Sequence, residues 1–201
     1  MRNKHQLVII GAGGHGRVVS DIARKSGYTQ QIFLDDMDIP GVAGKIEDHC
    51  RYIDDAVFFV AIGNGEIRNR VHNMIKDNGA TVISLIHPNA VVSDDVIVGN
   101  GSVVMAGAVI NTGAVLGEGV IVNTCASVDH DCKIGDYAHI SVGAHVCGTV
   151  GIGSHTWIGA GATVINNVNI GSECMIGAGA VVIQNIDKPG TYVGVPARKL
   201  K

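Results

Sequence analysis

From Val92 onward a branched aliphatic side chain falls at every sixth position: Val92, Val98, Val104, Ile110, Leu116, Val122, Val128, Ile134, Ile140, Val146, Ile152, Ile158, Val164, Ile170, Ile176 and Val182. Four places later most repeats carry a small or β-branched residue, among them Ser102, Ala108, Ala114, Ala126, Cys132, Ala138, Ala144, Thr156, Ala162, Cys174 and Ala180. Glycine often stands directly after the aliphatic, as at Gly99, Gly117, Gly135, Gly153, Gly159, Gly171 and Gly177. Helices repeat near 3.6 residues and strands near 2, so neither explains a strict six. One short strand plus one turn per hexapeptide does, with three such units closing a triangular coil. The stretch from Ala90 to Asn185 then holds about five coils of a parallel β-helix, each stacked on its neighbour. The aliphatic is expected to point into the prism and the small residue to sit near a corner. Gly or Asn should take the unusual turn dihedrals.

The amino-terminal half follows a different rhythm. Strands are predicted at Leu7–Ile10, Ile32–Leu34, Val57–Ile62 and Thr81–Ile86. Helices are predicted over Arg17–Lys25, with Val18, Val19, Ile22 and Ala23 inward, and over Glu66–Asn78, with Ile67, Val71, Met74 and Ile75 on one face. Gly27 and Gly79 mark their stops. Alternation of strand and helix implies a small Rossmann-like parallel sheet of βαβ units. His87-Pro88-Asn89 breaks the pattern. The expected division is therefore residues 1–86 as a Rossmann-like α/β domain, 87–187 as the β-helix and 188–201 as a carboxyl-terminal tail.

The net charge of −3 gives no footprint for nucleic acid or an anionic membrane. Aromatic residues are only 4 % of the chain against 28 glycines, as suits a core of Val, Ile and Ala with many turns. No run approaches the ~20 apolar residues of a membrane span. The short apolar run ending at Ile10 is followed by glycines instead of a cleavage site. Five cysteines without a C-x-x-C give no disulfide framework. These features point to a cytoplasmic protein.

Gly11-Ala12-Gly13-Gly14-His15-Gly16 fits G-x-G-x-x-G with an acid further on at Asp35, a pattern that suggests a dinucleotide site. Glycines let a backbone approach a phosphate, and a helix amino end welcomes negative charge. About four strands lack the second half that a dinucleotide spans, so a nucleotide sugar fits better than NAD. Tight strand–helix packing without a ligand is the plain alternative. His15 either contacts a nucleotide or caps the helix.

Within the repeats, Asn123-Thr124-Cys125-Ala126-Ser127-Val128-Asp129-His130-Asp131-Cys132 places an imidazole between two carboxylates on a turn. A neighbouring carboxylate orients the ring and makes it a better proton acceptor. A solvated polar corner is the bland reading. His139 precedes an inward aliphatic, so it should point outward and stack between Ile121 and Trp157. His130 and His139 cannot stack within one subunit, but a trimer interface would let them meet. His145 points outward on the next face and His155 lies on a turn. Six residues between His139 and His145 is too wide for a shared zinc site, so no metal is expected.

The chain resembles the PglD-type acetyltransferases within the wider NeuD-like family of hexapeptide-repeat sugar acyltransferases. The likeness rests on GAGGHG, FLDD, AIGN, LIHP, the Asn123–Cys132 segment, GDYAHISVG and the closing GVPA, in order along nearly the whole length. By that resemblance the β-helix is left-handed. The chain would be an acetyl-CoA-dependent N-acetyltransferase acting on the 4-amino group of a UDP-4-amino-4,6-dideoxy sugar in bacillosamine-type glycan biosynthesis. His130 would be the general base, with Asp131, where relatives often have Glu, raising its basicity. Gly13, Gly14, His15, Asp35, Asp36, Gly63, Asn64 and Asn123 would bind the sugar nucleotide. His139, Gly148, Ala160 and Ala178 would meet acetyl-CoA. The assembly implied is a homotrimer with sites between subunits. O-acetylation of a sialic acid or another sugar, an NAD-binding module and an inert scaffold are the rival functions.

Overall fold

The computed structural model describes residues 6–200. The chain divides into two compact units, residues 1–88 and 89–201.

The first unit is built on three parallel strands, β1 (Gln6–Ile10), β2 (Gln30–Leu34) and β3 (Ala56–Val60), in the order β2-β1-β3. β3 and all but the first residue of β1 are buried, as a sheet covered on both faces requires. Val82 pairs with Phe58 as an isolated bridge, and Leu85–Ile86 forms a separate two-residue strand. The expected fourth strand is thus broken in two. A 3₁₀ turn over Ile46–Tyr52, which the apolar pattern did not signal, joins the second strand to the third.

Helices α1 (Gly14–Lys25) and α2 (Gly65–Asp77) start at the glycine loop and after the AIGN segment. Gly27 and Gly79 follow their ends with φ of +98° and +91°. α1 buries three of its four expected residues and α2 two of its four. α1 buries Gly16, Val19, Ser20 and Ala23 with Ile22, and leaves Val18 45 % exposed. α2 buries Arg68, Val71, His72 and Ile75, with Ile67 and Met74 exposed. Both stripes follow i, i+3, i+4, i+7 spacing. In α2 two of the four places are polar, which an apolar count cannot register.

The second unit is a parallel β-solenoid of hexapeptide repeats. Two-residue strands pair in register every eighteen residues, as in Ile121↔His139↔Trp157, Ser127↔His145↔Thr163 and Lys133↔Gly151↔Asn169. The face carrying Val91–Val92 through Val181–Val182 has six strands, so there are six rungs against the five expected. Val104, Val122, Ile140, Ile158 and Ile176 stack in the interior, with Ala108, Ala126, Ala144, Ala162 and Ala180 buried at the corners. Each fully buried aliphatic contributes about 1.5–3 kcal/mol.

Every sixth residue from 101 to 179 has positive φ, and these are Gly101, Gly107, Gly113, Gly119, Cys125, Asp131, Tyr137, Gly143, Thr149, His155, Gly161, Asn167, Glu173 and Gly179. These corner residues, three places after the aliphatic, take the turn dihedrals. The glycines directly after the aliphatic serve another purpose. A Cβ on Gly99 would lie 2.4 Å from the backbone of Gly117, and one on Gly153 would lie 2.3 Å from the nitrogen of Ser172. Those glycines let successive coils approach. At the end of the solenoid, Gly190–Val193 pairs with Cys174–Ile176 and with Arg198–Lys199.

Candidate active site

Asp131 occupies a left-handed corner (φ 58°), and this turn puts His130 and both flanking carboxylates at one edge of the prism. The His130 Nδ1 lies 2.9 Å from Asp131 Oδ2. Asp129 Oδ1 accepts from the His130 backbone N–H at 2.7 Å and from the Asn111 side-chain amide, one coil below, at 2.8 Å. These bonds hold the Asp129 carboxyl below the usual range, the Asn111 bond being the larger cause. The Asp131 hydrogen bond, helped by the charges of Asp129 and Asp131, raises the His130 imidazole above 6.5. The ring is half exposed. A Cβ on Gly148, one coil above, would fall 2.3 Å from His130 Nε2. Among the described residues Nε2 makes no hydrogen bond. A carboxylate-oriented ring with its far nitrogen open is the arrangement of a general base.

A second cluster lies elsewhere on the same solenoid. Asn123 Nδ2 is 3.0 Å from His139 Nε2, and the His139 ring packs on Trp157 with centroids 4.6 Å apart. His139 stacks between Ile121 and Trp157 as its spacing predicts, yet it is only 7 % exposed. Next to it runs a bare corner: Gly143, Gly161 and Gly179 have nothing within 4 Å of a would-be Cβ, and their N–H groups bond to Thr124, Val142 and Ala160. Ala160 and Ala178 belong to this corner. The residues that the resemblance assigns to acetyl-CoA are therefore divided. Gly148 lies against His130, while His139, Ala160 and Ala178 share a different edge with Asn123. His145 is held by Ser127 Oγ at 2.9 Å, and His155 stacks on Tyr137. Among the described residues no group of three or more His, Cys, Asp or Glu is arranged for a metal ion.

In the first unit the glycine-loop residues separate by role. A Cβ on Gly11 would strike the Ala61 carbonyl at 2.7 Å, and one on Gly16 would strike the Gly11 carbonyl, so both are packing glycines. Gly13 and Gly63 face open space, and Gly14 has only an Arg17 nitrogen at 4.0 Å. Asp35 Oδ2 accepts from Ala12 N and its Oδ1 from Met37 N, so this acid also braces the loop. Asp36 accepts from Ile46 N, and Asn64 caps α2 through Ile67 N. Burial, and secondarily the charge of Arg68, lowers the His15 imidazole to about 4. An apolar cavity beside the loop is lined by Ala12, Arg17, Phe33, Ile39, Pro40 and Gly41.

Residues 6–75 match the family described as PglD N-terminal domain, and residues 149–184 match the bacterial transferase hexapeptide, six repeats. The acetyltransferase domain of PglB from Neisseria gonorrhoeae, also solved with acetyl coenzyme A, is 41 % identical with a TM-score of 0.93, over 98 % of this chain and 100 % of that domain. The chain belongs to the PglD-like hexapeptide-repeat family. Within it, PerB from Caulobacter crescentus, solved with CoA and GDP-perosamine, is 36 % identical with a TM-score of 0.94, over 98 % of this chain and 97 % of that one. The curated UDP-N-acetylbacillosamine N-acetyltransferase of Bacillus subtilis is 35 % identical over 110 residues, 50 % of this chain and 51 % of that protein. The match thus spans about half the length of that relative.

The structure brings the expected His130 and Asp131 together at one corner and sets His139 with Asn123 at another, while sequence reasoning did not single out Asn111 or the seat that Gly148 gives His130. Both follow from the eighteen-residue register, since 111 underlies 129 and 148 overlies 130. Arg68 fell outside the expected apolar face of α2 and so read as a solvated position.

Proposed function

We propose that this chain is an acetyl-CoA-dependent N-acetyltransferase acting on the 4-amino group of a UDP-4-amino-4,6-dideoxy sugar. The observation that carries the reading is the His130 imidazole, fixed at Nδ1 by Asp131 with Nε2 facing Gly148, whose missing side chain leaves it room. Kinship with a protein named for bacillosamine N-acetylation and with one solved holding CoA and GDP-perosamine supports the substrate class.

In this reading the amine nitrogen attacks the thioester carbonyl and a C–N bond forms. His130 Nε2 takes the amine proton, the C–S bond breaks, and the imidazolium returns the proton to the departing thiolate. No covalent enzyme intermediate is needed. Holding amine and thioester at near-attack distance supplies several kcal/mol of the barrier. The first unit holds the nucleotide through Gly13, Gly14, His15, Asp35, Asp36, Gly63 and Asn64. The edge bearing Asn123, His139, Ala160 and Ala178 takes acetyl-CoA, and a neighbouring copy brings its own His130 edge to it. A homotrimer completes three such sites.

Single-turnover kinetics test the assignment. His130→Ala should slow acetyl transfer by ~10²–10⁴-fold with nucleotide-sugar affinity retained. An unchanged chemical step would remove His130 from the role. Thiol release measured across UDP-, GDP- and dTDP-4-amino sugars decides the carrier, with the UDP sugar expected to give the highest kcat/KM.

A further inference from the structure

Arg68 is 1 % exposed, the largest fully buried side chain among the described residues. Taking a guanidinium out of water costs several kcal/mol unless its donors are met. Its Nη1 donates to the carbonyls of Ile62 at 2.7 Å and Gly63 at 2.8 Å. It thereby shapes the turn between β3 and α2, whose Gly63 faces open space.

That turn lies beside the glycine loop. Ala61 N donates to the Ile10 carbonyl at 2.7 Å, and Gly11 sits so close to Ala61 and Ile62 that only glycine fits. The sheet order β2-β1-β3 makes β1 and β3 neighbours, so the chain ends of both strands open into α1 and α2 side by side. The amino end of α1 has no side-chain cap and no acid in its first turn, and it carries His15 and Arg17 instead. With its imidazole lowered to about 4, His15 is neutral near pH 7 and Arg17 is the cation at this positive helix end, an arrangement that an anion would relieve. The charge of Arg68 also reaches His15, lowering its imidazole together with burial.

We propose that Arg68 is a positioning residue for the diphosphate of the nucleotide sugar: from inside the domain it sets the Ile62–Gly63 turn and places a fixed positive charge beneath the glycine loop, so that two adjacent helix amino ends receive one anion. This rests on the nucleotide-binding part of the function proposed above and is independent of the acetyl-transfer chemistry. The one Nη1 serves both carbonyls, so lysine would keep the charge but lose the guanidinium's reach and fixed planar geometry.

The test is titration calorimetry of the full chain with inorganic pyrophosphate, UDP and acetyl-CoA, for wild type, Arg68→Lys and Arg68→Gln. Arg68→Gln should weaken pyrophosphate and UDP alike by about tenfold or more, the scale of a charge-assisted contact. Arg68→Lys should recover part of that loss, and acetyl-CoA affinity should hold throughout. In proton NMR the His15 ring should titrate higher in Arg68→Gln than in wild type, and Arg68→Lys should stay near wild type. Unchanged pyrophosphate affinity in Arg68→Gln would overturn the proposal. Equal losses in both variants with acetyl-CoA affinity falling too would also overturn it, because that is the mark of a structural role. If Arg68→Gln does not fold, Arg68→Lys decides: pyrophosphate and UDP must weaken in it while acetyl-CoA and the His15 titration hold. A wild type that binds pyrophosphate but not UDP leaves Arg68 its role and removes the nucleotide sugar. One that binds no pyrophosphate removes Arg68's role.

Discussion

At the scale of single residues the chemistry turns on how much of His130's basicity comes from Asp131. That hydrogen bond is the largest cause of the raised imidazole, ahead of the charges of Asp129 and Asp131. The working form of a general base is the neutral ring, so a raised value moves the acidic limb of the rate profile above 6.5. Asp131→Asn should bring that limb down toward 6.5, extending activity to lower pH while lowering the plateau. The fall in kcat should stay within about 10²-fold, less than losing the imidazole. The pH dependence of kcat/KM for the two proteins checks this, and an unmoved limb would mean that Asp131 only braces the turn. Asp131 and His130 were legible because a charged triplet stands out against the hexapeptide pattern. Arg68 was not, because a buried arginine on a helix face reads as a solvated position until the carbonyls it serves are known.

At the scale of the repeat, two kinds of glycine do two jobs, and the sequence distinguishes them only by phase. Corner glycines such as Gly161 have φ of +65° and open space where a Cβ would go. Gly161→Ala should therefore cost only the left-handed backbone penalty, about 1–2 kcal/mol. The solenoid already bears that penalty at Cys125, Tyr137 and Glu173. Gly153 has an ordinary backbone but a neighbour at 2.3 Å, so Gly153→Ala must push two coils apart. Its cost should reach or exceed the ~1–3 kcal/mol of overpacking. Denaturant titration of the two variants gives the order directly, and a reversal would assign the strain wrongly. The six-residue period exposed the solenoid and its interior without ambiguity. It did not reveal which glycine served which purpose, because stacking relates residues eighteen apart and a one-dimensional period of six hides that. The helices of the first unit show the same limit. Their existence and stops were legible, while the true buried stripe depended on polar side chains serving backbone groups.

At the scale of the whole molecule the second unit keeps the two proposed half-sites on different edges. His130 and Gly148 lie on the corner between the strands Ser127–Val128 and Lys133–Ile134. Ala160, Gly161, Ala178 and Gly179 lie on the corner that follows the face of His139. One prism keeps these edges apart, so the proposed transfer calls for an edge from a second copy. This makes a complementation experiment decisive. His130→Ala removes the base, and Gly161→Trp fills the bare corner, so each homomeric variant should be inactive. Each variant, however, spoils the opposite half of a shared site. Mixed assemblies formed by refolding the two together should regain activity, because some interfaces then pair an intact His130 edge with an intact glycine edge. For random mixing about a quarter of the interfaces are wholly intact, which sets the recovery to be measured by thiol release, provided that oligomers form as closed rings. Recovery near zero, with mixed assemblies verified by mass, would mean that both edges serve a site within one subunit. In that case the separation of His130 from the bare corner would have to be bridged by the substrates themselves.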